Sequence, residues 1–217
     1  MGYEKSINLS QNGVAGKPLA CNFVSGAVGH RLRFGGGRGQ DLARAVGLKP
    51  GINPHIVDAT AGLGRDAFLM ASLGATVTLI ERSPIIFGLL YDGMAMASKA
   101  GGMSAEIIDR MTLLNGDSIN LLPTLSPEII LIDPMHPSRK KSALVKAEMR
   151  QIRELVGVDG DQIELMRVAL ENASKRVVLK WPSRAASMAE IGLCSHQIIG
   201  KSVRYDVFMQ YSSQIQI

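Results

Sequence analysis

Cysteine is almost missing from this chain: the 217 residues hold two, Cys21 and Cys194, far apart. That scarcity excludes a disulfide framework and leaves no Cys/His spacing suited to a metal. Both thiols are expected to be small buried residues in a reducing cytoplasm, and no metal is called for. Aromatics make up only 5% of the sequence, so aliphatic side chains and methionine must fill the core. The pair Met94/Met96 reads as such filler rather than as a metal-binding box. No apolar run reaches membrane-spanning length, and the N-terminus lacks the apolar stretch of a signal peptide. A cytoplasmic protein with no membrane partner is expected. No internal repeat or low-complexity tract is visible. What is present is ordinary: 46% hydrophobic and 20% charged residues suit a globule with one core. Residues 1–50 read as a basic, Gly-rich N-terminal segment packed on a main domain at 51–217.

The net charge of +5 is unevenly spread. Residues 1–50 carry seven Lys/Arg against two acids, and residues 139–153 carry six against one, so the remainder is net acidic. Two basic segments on an acidic body point to a polyanion surface, because clustered cations focus the field that attracts phosphates. In the first segment Arg31, Arg33 and Arg38 flank Gly35-Gly36-Gly37, with Phe34 available to stack on a base. In the second, Arg139, Lys140 and Lys141 precede an expected helix over 143–156, whose Lys146, Arg150 and Arg153 form a basic stripe. The plainer alternatives are a flexible linker and solubilising charge.

The stretch Ile56-Val57-Asp58-Ala59-Thr60-Ala61-Gly62-Leu63-Gly64-Arg65-Asp66 reads as strand, tight turn and helix. Glycines at 62 and 64 tolerate positive φ and leave no side chain between backbone and ligand. Such a crevice beyond a first strand is where doubly wound sheets hold nucleotide-like ligands. Gly62-x-Gly64-x-x-Ala67, with Glu81 nineteen residues past Gly62, suits a dinucleotide such as NAD. It suits S-adenosylmethionine (AdoMet) equally. A ligand-free βαβ turn is the third possibility.

Further strands are expected at 76–80, 111–115, 128–132 and 175–180, with helices at 41–46, 65–73, from Ser83-Pro84 through Met96, and at 162–172. Gly93 in the third of these helices is read as packing on the sheet. Asp117-Ser118 follows the third strand, placed either to reach an adenine edge or to cap a helix. A hairpin around Gly200-Lys201 closes the chain. This order predicts a Rossmann-like class I AdoMet-dependent methyltransferase fold: α/β, doubly wound, mostly parallel, with an antiparallel C-terminal strand.

The fourth strand ends in Asp133-Pro134-Met135-His136. Amino-methyltransferases place a D/N-P-P-aromatic tetrapeptide there. An exocyclic base amine is a poor nucleophile, because its lone pair is delocalised into the ring. Hydrogen bonds from it to the Asp133 carboxylate and the Pro134 carbonyl would favour a pyramidal nitrogen and offer a route for the proton. His136 takes the stacking position. The alternative is a capping turn.

Four blocks, HRLRFGGGRG (30–39), VDATAGLGRDAF (57–68), DPMHPSRKKSALVKAEMR (133–150) and Arg176–Pro182, resemble the RsmJ family of bacterial 16S ribosomal RNA guanine-N2 methyltransferases. The resemblance implies methyl transfer from AdoMet to the N2 amine of one guanine near the 3′ end of 16S rRNA, with naked rRNA or the small ribosomal subunit as partner. It implies cofactor positions at Arg65-Asp66, Glu81-Arg82, Asp117-Ser118 and Asp133. Asp58 would hold the methionine amino group, Glu81 the ribose hydroxyls and Asp133 the guanine amine. Two departures stand out: fewer residues before the first block than is usual, and His136 where the family has Phe.

Overall fold

The computed structural model describes residues 20–24, 37–134 and 160–210. The expected helix at 143–156 lies outside them. Among the described residues seven strands form one sheet: β1 (His55–Asp58), β2 (Thr76–Glu81), β3 (Met111–Asn115), β4 (Ile129–Ile132), β5 (Arg176–Pro182), β6 (His196–Ile199) and β7 (Val203–Met209). Their order is β3-β2-β1-β4-β5-β7-β6. The first five run parallel, and β7 inserts antiparallel between β5 and β6. This is the predicted doubly wound sheet with its antiparallel strand.

The helices are α1 (Asp41–Ala45), α2 (Arg65–Ser72), α3 (Pro84–Ala100), α4 (Gly102–Ile108), α5 (Ser118–Leu125) and α6 (Gln162–Asn172). Apolar residues of α1 to α4 form one core with one face of the sheet, and those of α5 and α6 form a second core with the other. A strand covered on both faces should be apolar throughout, as Ile129-Ile130-Leu131-Ile132 is, every residue buried. The edge strands β3 and β6 bury less. Among the described residues no helix is long and apolar enough to cross a membrane.

Local sequence sets the helix starts. The Ser83 hydroxyl accepts from the Ile86 N–H at 3.4 Å, with Pro84 at the first helical position. Asp117 caps α5 by accepting from the Ile119 N–H at 2.9 Å. The helix α4 had no counterpart among the expected elements, and α5 follows the helix-capping alternative for Asp117-Ser118. Pro123 lies inside α5, and both glycines lie at the start of α4 with φ of +72° and +60°.

The register prepares a functional edge. Ile132 pairs with Leu179, so the next residues, Asp133 and Lys180, come level at the carboxyl ends of β4 and β5. Beyond Lys180 the chain is held by a buried pair on β7. Arg204 Nε donates to Asp206 at 2.9 Å, while its Nη1 donates to the Pro182 and Ala185 carbonyls at 3.2 and 2.7 Å.

Three expectations about packing are corrected. Met96 is 68% exposed, since residues two apart on a helix point to nearly opposite sides and only Met94 packs on the core. Cys194 is only partly buried, unlike Cys21. Gly93 faces the 20–24 segment instead of the sheet: a Cβ there would lie 2.5 Å from Cys21 Cβ and 2.8 Å from its carbonyl oxygen. Phe23 anchors that segment, stacked on Phe68 of α2 with ring centroids 4.8 Å apart.

This contact predicts that Gly93→Ala is destabilising although alanine favours helix, because overpacking against backbone costs about 1–3 kcal/mol and propensity returns about 1. Gly88→Ala, in the same helix with nothing within 4 Å of its Cβ, should instead stabilise. Thermal melts check the pair. A melting temperature raised equally by both changes would contradict the packing.

Candidate active site

Four strand ends and the turn after β1 enclose a cavity of about 340 Å³. It sits at the carboxyl edge of the sheet beside β1 and β4, where the strand order reverses, the place a doubly wound sheet leaves open. The predicted positions Asp58, Gly62, Arg65, Asp66, Glu81, Arg82, Asp117, Ser118, Asp133 and Pro134 all line it. Gly64 does not. It sits at φ +68° before α2, and a Cβ on it would strike Leu90 at 2.7 Å and Phe23 at 3.1 Å. Its lack of a side chain serves the core, and the expectation that it faces the ligand is corrected. A Cβ on Gly62, at φ +53°, would meet only the Thr60 carbonyl oxygen, at 3.9 Å.

Glu81 ends β2, buried, and is gripped by backbone. Its Oε2 accepts from the Gly62 N–H at 2.9 Å and its Oε1 from the Ser83 N–H at 2.7 Å. The carboxylate therefore fixes the glycine turn, and a carboxylate oxygen can accept more than one hydrogen bond. Ser118 donates to the Ala59 carbonyl at 2.6 Å, tying the start of α5 to the end of β1. Arg82 bridges the starts of two helices, 2.6 Å from Asp161 and 4.0 Å from Asp117.

On the opposite wall three acids crowd together. Asp58 is buried and accepts from the Thr60 N–H at 3.2 Å. Burial, then the charges of Asp66 and Asp133, pushes its carboxyl up to about 7, against the pull of the Thr60 N–H and Lys180. Asp133 is oriented by its own backbone N–H, which donates to the Thr60 hydroxyl at 2.6 Å. Desolvation at the pocket wall raises its carboxyl, with Lys180 opposing and Asp66 adding, while the side chain keeps 41% exposure toward the crevice. Lys180 donates to Asp66 at 2.6 Å and to Asp133 at 2.7 Å. Burial disfavours its ammonium, yet the two carboxylates outweigh that and hold it well above its ordinary value.

Sequence reasoning missed Lys180, Thr60 and Asp161. The signal for Lys180 was there: a lysine between buried Leu179 and Trp181, at the end of a strand beside the Asp133 strand. Arg38 is not brought to the cavity; its Nη2 donates at 2.7 Å to the Leu73 carbonyl, just past the far end of α2. Arg31, Arg33, Phe34, His136, Arg139, Lys140 and Lys141 lie outside the described residues.

The donor set fits AdoMet on its own chemistry. Asp58, Asp66, Glu81, Asp117, Asp133 and Asp161 line the cavity against Arg65, Arg82 and Lys180, an excess of acids suited to a ligand bearing an ammonium and a sulfonium. A buried acid beside a side-chain-free turn suits a ribose diol.

Comparison with known proteins points the same way. Residues 2–210 match the model of the family described as "Putative SAM-dependent methyltransferase". A relative from Agrobacterium fabrum, named "Ribosomal RNA small subunit methyltransferase J", is 63% identical over 89% of this chain and 93% of its own length. One of the same name from Brucella anthropi is also 63% identical, over 88% and 94%. The crystal structure of a SAM-dependent methyltransferase from Neisseria gonorrhoeae superposes with a TM-score of 0.72 at 33% identity, covering 91% of this chain and 77% of that one. Of the two ligand classes that Gly62-x-Gly64 left open, these matches select AdoMet over NAD. The chain belongs to the ribosomal RNA small subunit methyltransferase J family of AdoMet-dependent methyltransferases.

Proposed function

We propose that this protein transfers a methyl group from AdoMet to the exocyclic N2 amine of one guanine near the 3′ end of 16S rRNA, in the cytoplasm. The observation that carries the reading is Asp133. An acid at the end of β4 opens into the cavity with its backbone fixed by Thr60, in a chain 63% identical to named rRNA methyltransferases. Bound AdoMet supplies a methyl group already activated on a sulfonium. The chain has to hold the cofactor, aim the amine and accept its proton. Glu81, fixed by Gly62 and Ser83, offers acceptors to the ribose hydroxyls. Asp58 offers a buried carboxylate to the methionine ammonium. Asp133 accepts from the guanine amine while the Pro134 carbonyl takes its second N–H. As the N–C bond forms, the C–S bond breaks with its electrons left on sulfur, and the amine proton leaves by way of Asp133. No covalent or metal intermediate is required.

Three variants test these roles. Glu81→Gln keeps an acceptor but loses the anion, and charge-assisted bonds exceed neutral ones by about 1–2 kcal/mol. Calorimetry should show affinity lowered about tenfold and equally for AdoMet and S-adenosylhomocysteine, because both carry the ribose. Unchanged affinity removes Glu81 from the ribose site.

Asp133→Ala should slow single-turnover methyl transfer by about 10²–10⁴-fold at saturating AdoMet. RNA affinity should move little, since phosphate contacts dominate it. Transfer at the wild-type rate would reduce the Asp133-Pro134 turn to a structural feature. RNA binding by the wild type with no transfer to any ribosomal substrate would favour a non-catalytic ribosome-associated protein.

Asp58 should trade stability for binding. With its carboxyl raised from 3.8 to about 7, the cofactor-free fold loses stability as pH climbs from about 4 through 7. The full loss is on the order of 4 kcal/mol. Asp58→Asn removes that loss, so chemical denaturation should find the variant progressively more stable than the wild type between pH 5 and pH 8, while AdoMet binds more weakly. A stability difference identical at both pH values would contradict the buried anion.

A further inference from the structure

Lys180 has no part in the roles assigned above, yet it is the residue that joins the two halves of the acidic wall. It stands on β5, level with Asp133 through the β4–β5 register. Its ammonium lies 2.7 Å from Asp133 Oδ2 and 2.6 Å from Asp66 Oδ2, on the first turn of α2. Its side chain is 21% exposed, so water screens these contacts little. We propose that Lys180 is a positioning residue for methyl transfer: by gripping one oxygen of Asp66 and one of Asp133, it holds Asp133 as an oriented, anionic acceptor for the target amine.

The chemistry requires such a partner. A carboxylate aims an amine only as an acceptor, and a protonated Asp133 would present an O–H donor to a group that must itself donate. Asp133 faces Asp58 from β1, Asp66 and Arg65 from α2 and Lys180 from β5, while Glu81, Arg82, Asp117 and Asp161 line the far side of the same cavity. The acids of the near wall push each other toward protonation. Lys180 lies within hydrogen-bonding distance of two of them. Lys180 takes one oxygen of Asp133, and the carboxylate keeps a second, Oδ1, on a side chain that lines the cavity. The lysine is itself held: Trp181 Nε1 donates to the Ala186 carbonyl at 2.8 Å, and Arg204 pins the carbonyls of residues 182 and 185.

The inference rests on the methyltransferase reading, so two readouts separate their failures. The first uses cofactor-free protein with ¹³C-carboxyl aspartate, the Asp133 signal being identified by its loss in Asp133→Asn. Lys180→Met should raise the Asp133 titration midpoint by at least one pH unit, and Lys180→Arg should restore it toward the wild type. The second is single-turnover transfer from pH 5.5 to 8.5. Lys180→Met should be at least tenfold slow at pH 6.5 and should approach the wild type as pH rises, its acid limb displaced upward. Lys180→Arg should keep the wild-type limb even if its rate is lower. If methionine prevents folding, Lys180→Gln carries the same expectation. An unmoved Asp133 midpoint, or a rate lowered by one factor at every pH, overturns the role of Lys180 while leaving the methyltransferase intact. A wild type that neither binds AdoMet nor transfers methyl overturns the function itself, and the carboxyl titration still decides whether Lys180 controls Asp133.

Discussion

The repulsion among Asp58, Asp66 and Asp133 is the constraint around which this fold is arranged. Three like charges at the ends of adjacent elements, partly out of water, disfavour one another's ionisation. The bonds from Lys180 to Asp66 and Asp133 oppose that repulsion. They form only if β4 and β5 keep their register, so that Asp133 and Lys180 come level, and only if α2 starts where Gly64 allows. The antiparallel strand β7 then secures β5, with Arg204 and Asp206 fixing the chain just beyond the lysine. The third acid, Asp58, has its carboxyl raised first by burial and then by the charges of Asp66 and Asp133. A pocket left short of positive charge favours a cationic ligand.

The far wall follows the opposite rule. Glu81 is buried but held by backbone donors from Gly62 and Ser83. It acts as the joint between β2, the glycine turn and the start of α3. Arg82 and Asp117 tie the next helix starts together. One wall thus stores electrostatic tension and the other is rigid. That division suits a site in which one part of a ligand is gripped and another must react.

Much of this was legible because apolar strands stop at charged residues. Val57-Asp58, Ile80-Glu81 and Ile132-Asp133 each mark the point where a buried strand emerges at the crevice, and all three acids line the cavity. Spacing could not say which glycine lines the cavity: Gly62 does, whereas Gly64 makes room for Leu90 and Phe23, a difference set by tertiary packing. Lys180 escaped because a lysine near the end of an apolar strand suits a solvated strand end as well, and only the register places it beside Asp133. Arg38, singled out by clustered charge, lies away from the cavity, its guanidinium donating to the Leu73 carbonyl just past α2.

The central claim is that this crevice methylates one guanine amine of small-subunit rRNA. Mass mapping of the 3′ region of 16S rRNA addresses it most directly, comparing a strain that lacks the gene with the same strain carrying it back. The account predicts that one guanine loses a single methyl mass in the deletion strain. The intact gene should restore that methyl group, and a copy encoding Asp133→Ala should not. A methylation pattern identical in both strains, or a lost mark on a residue other than guanine, would contradict it.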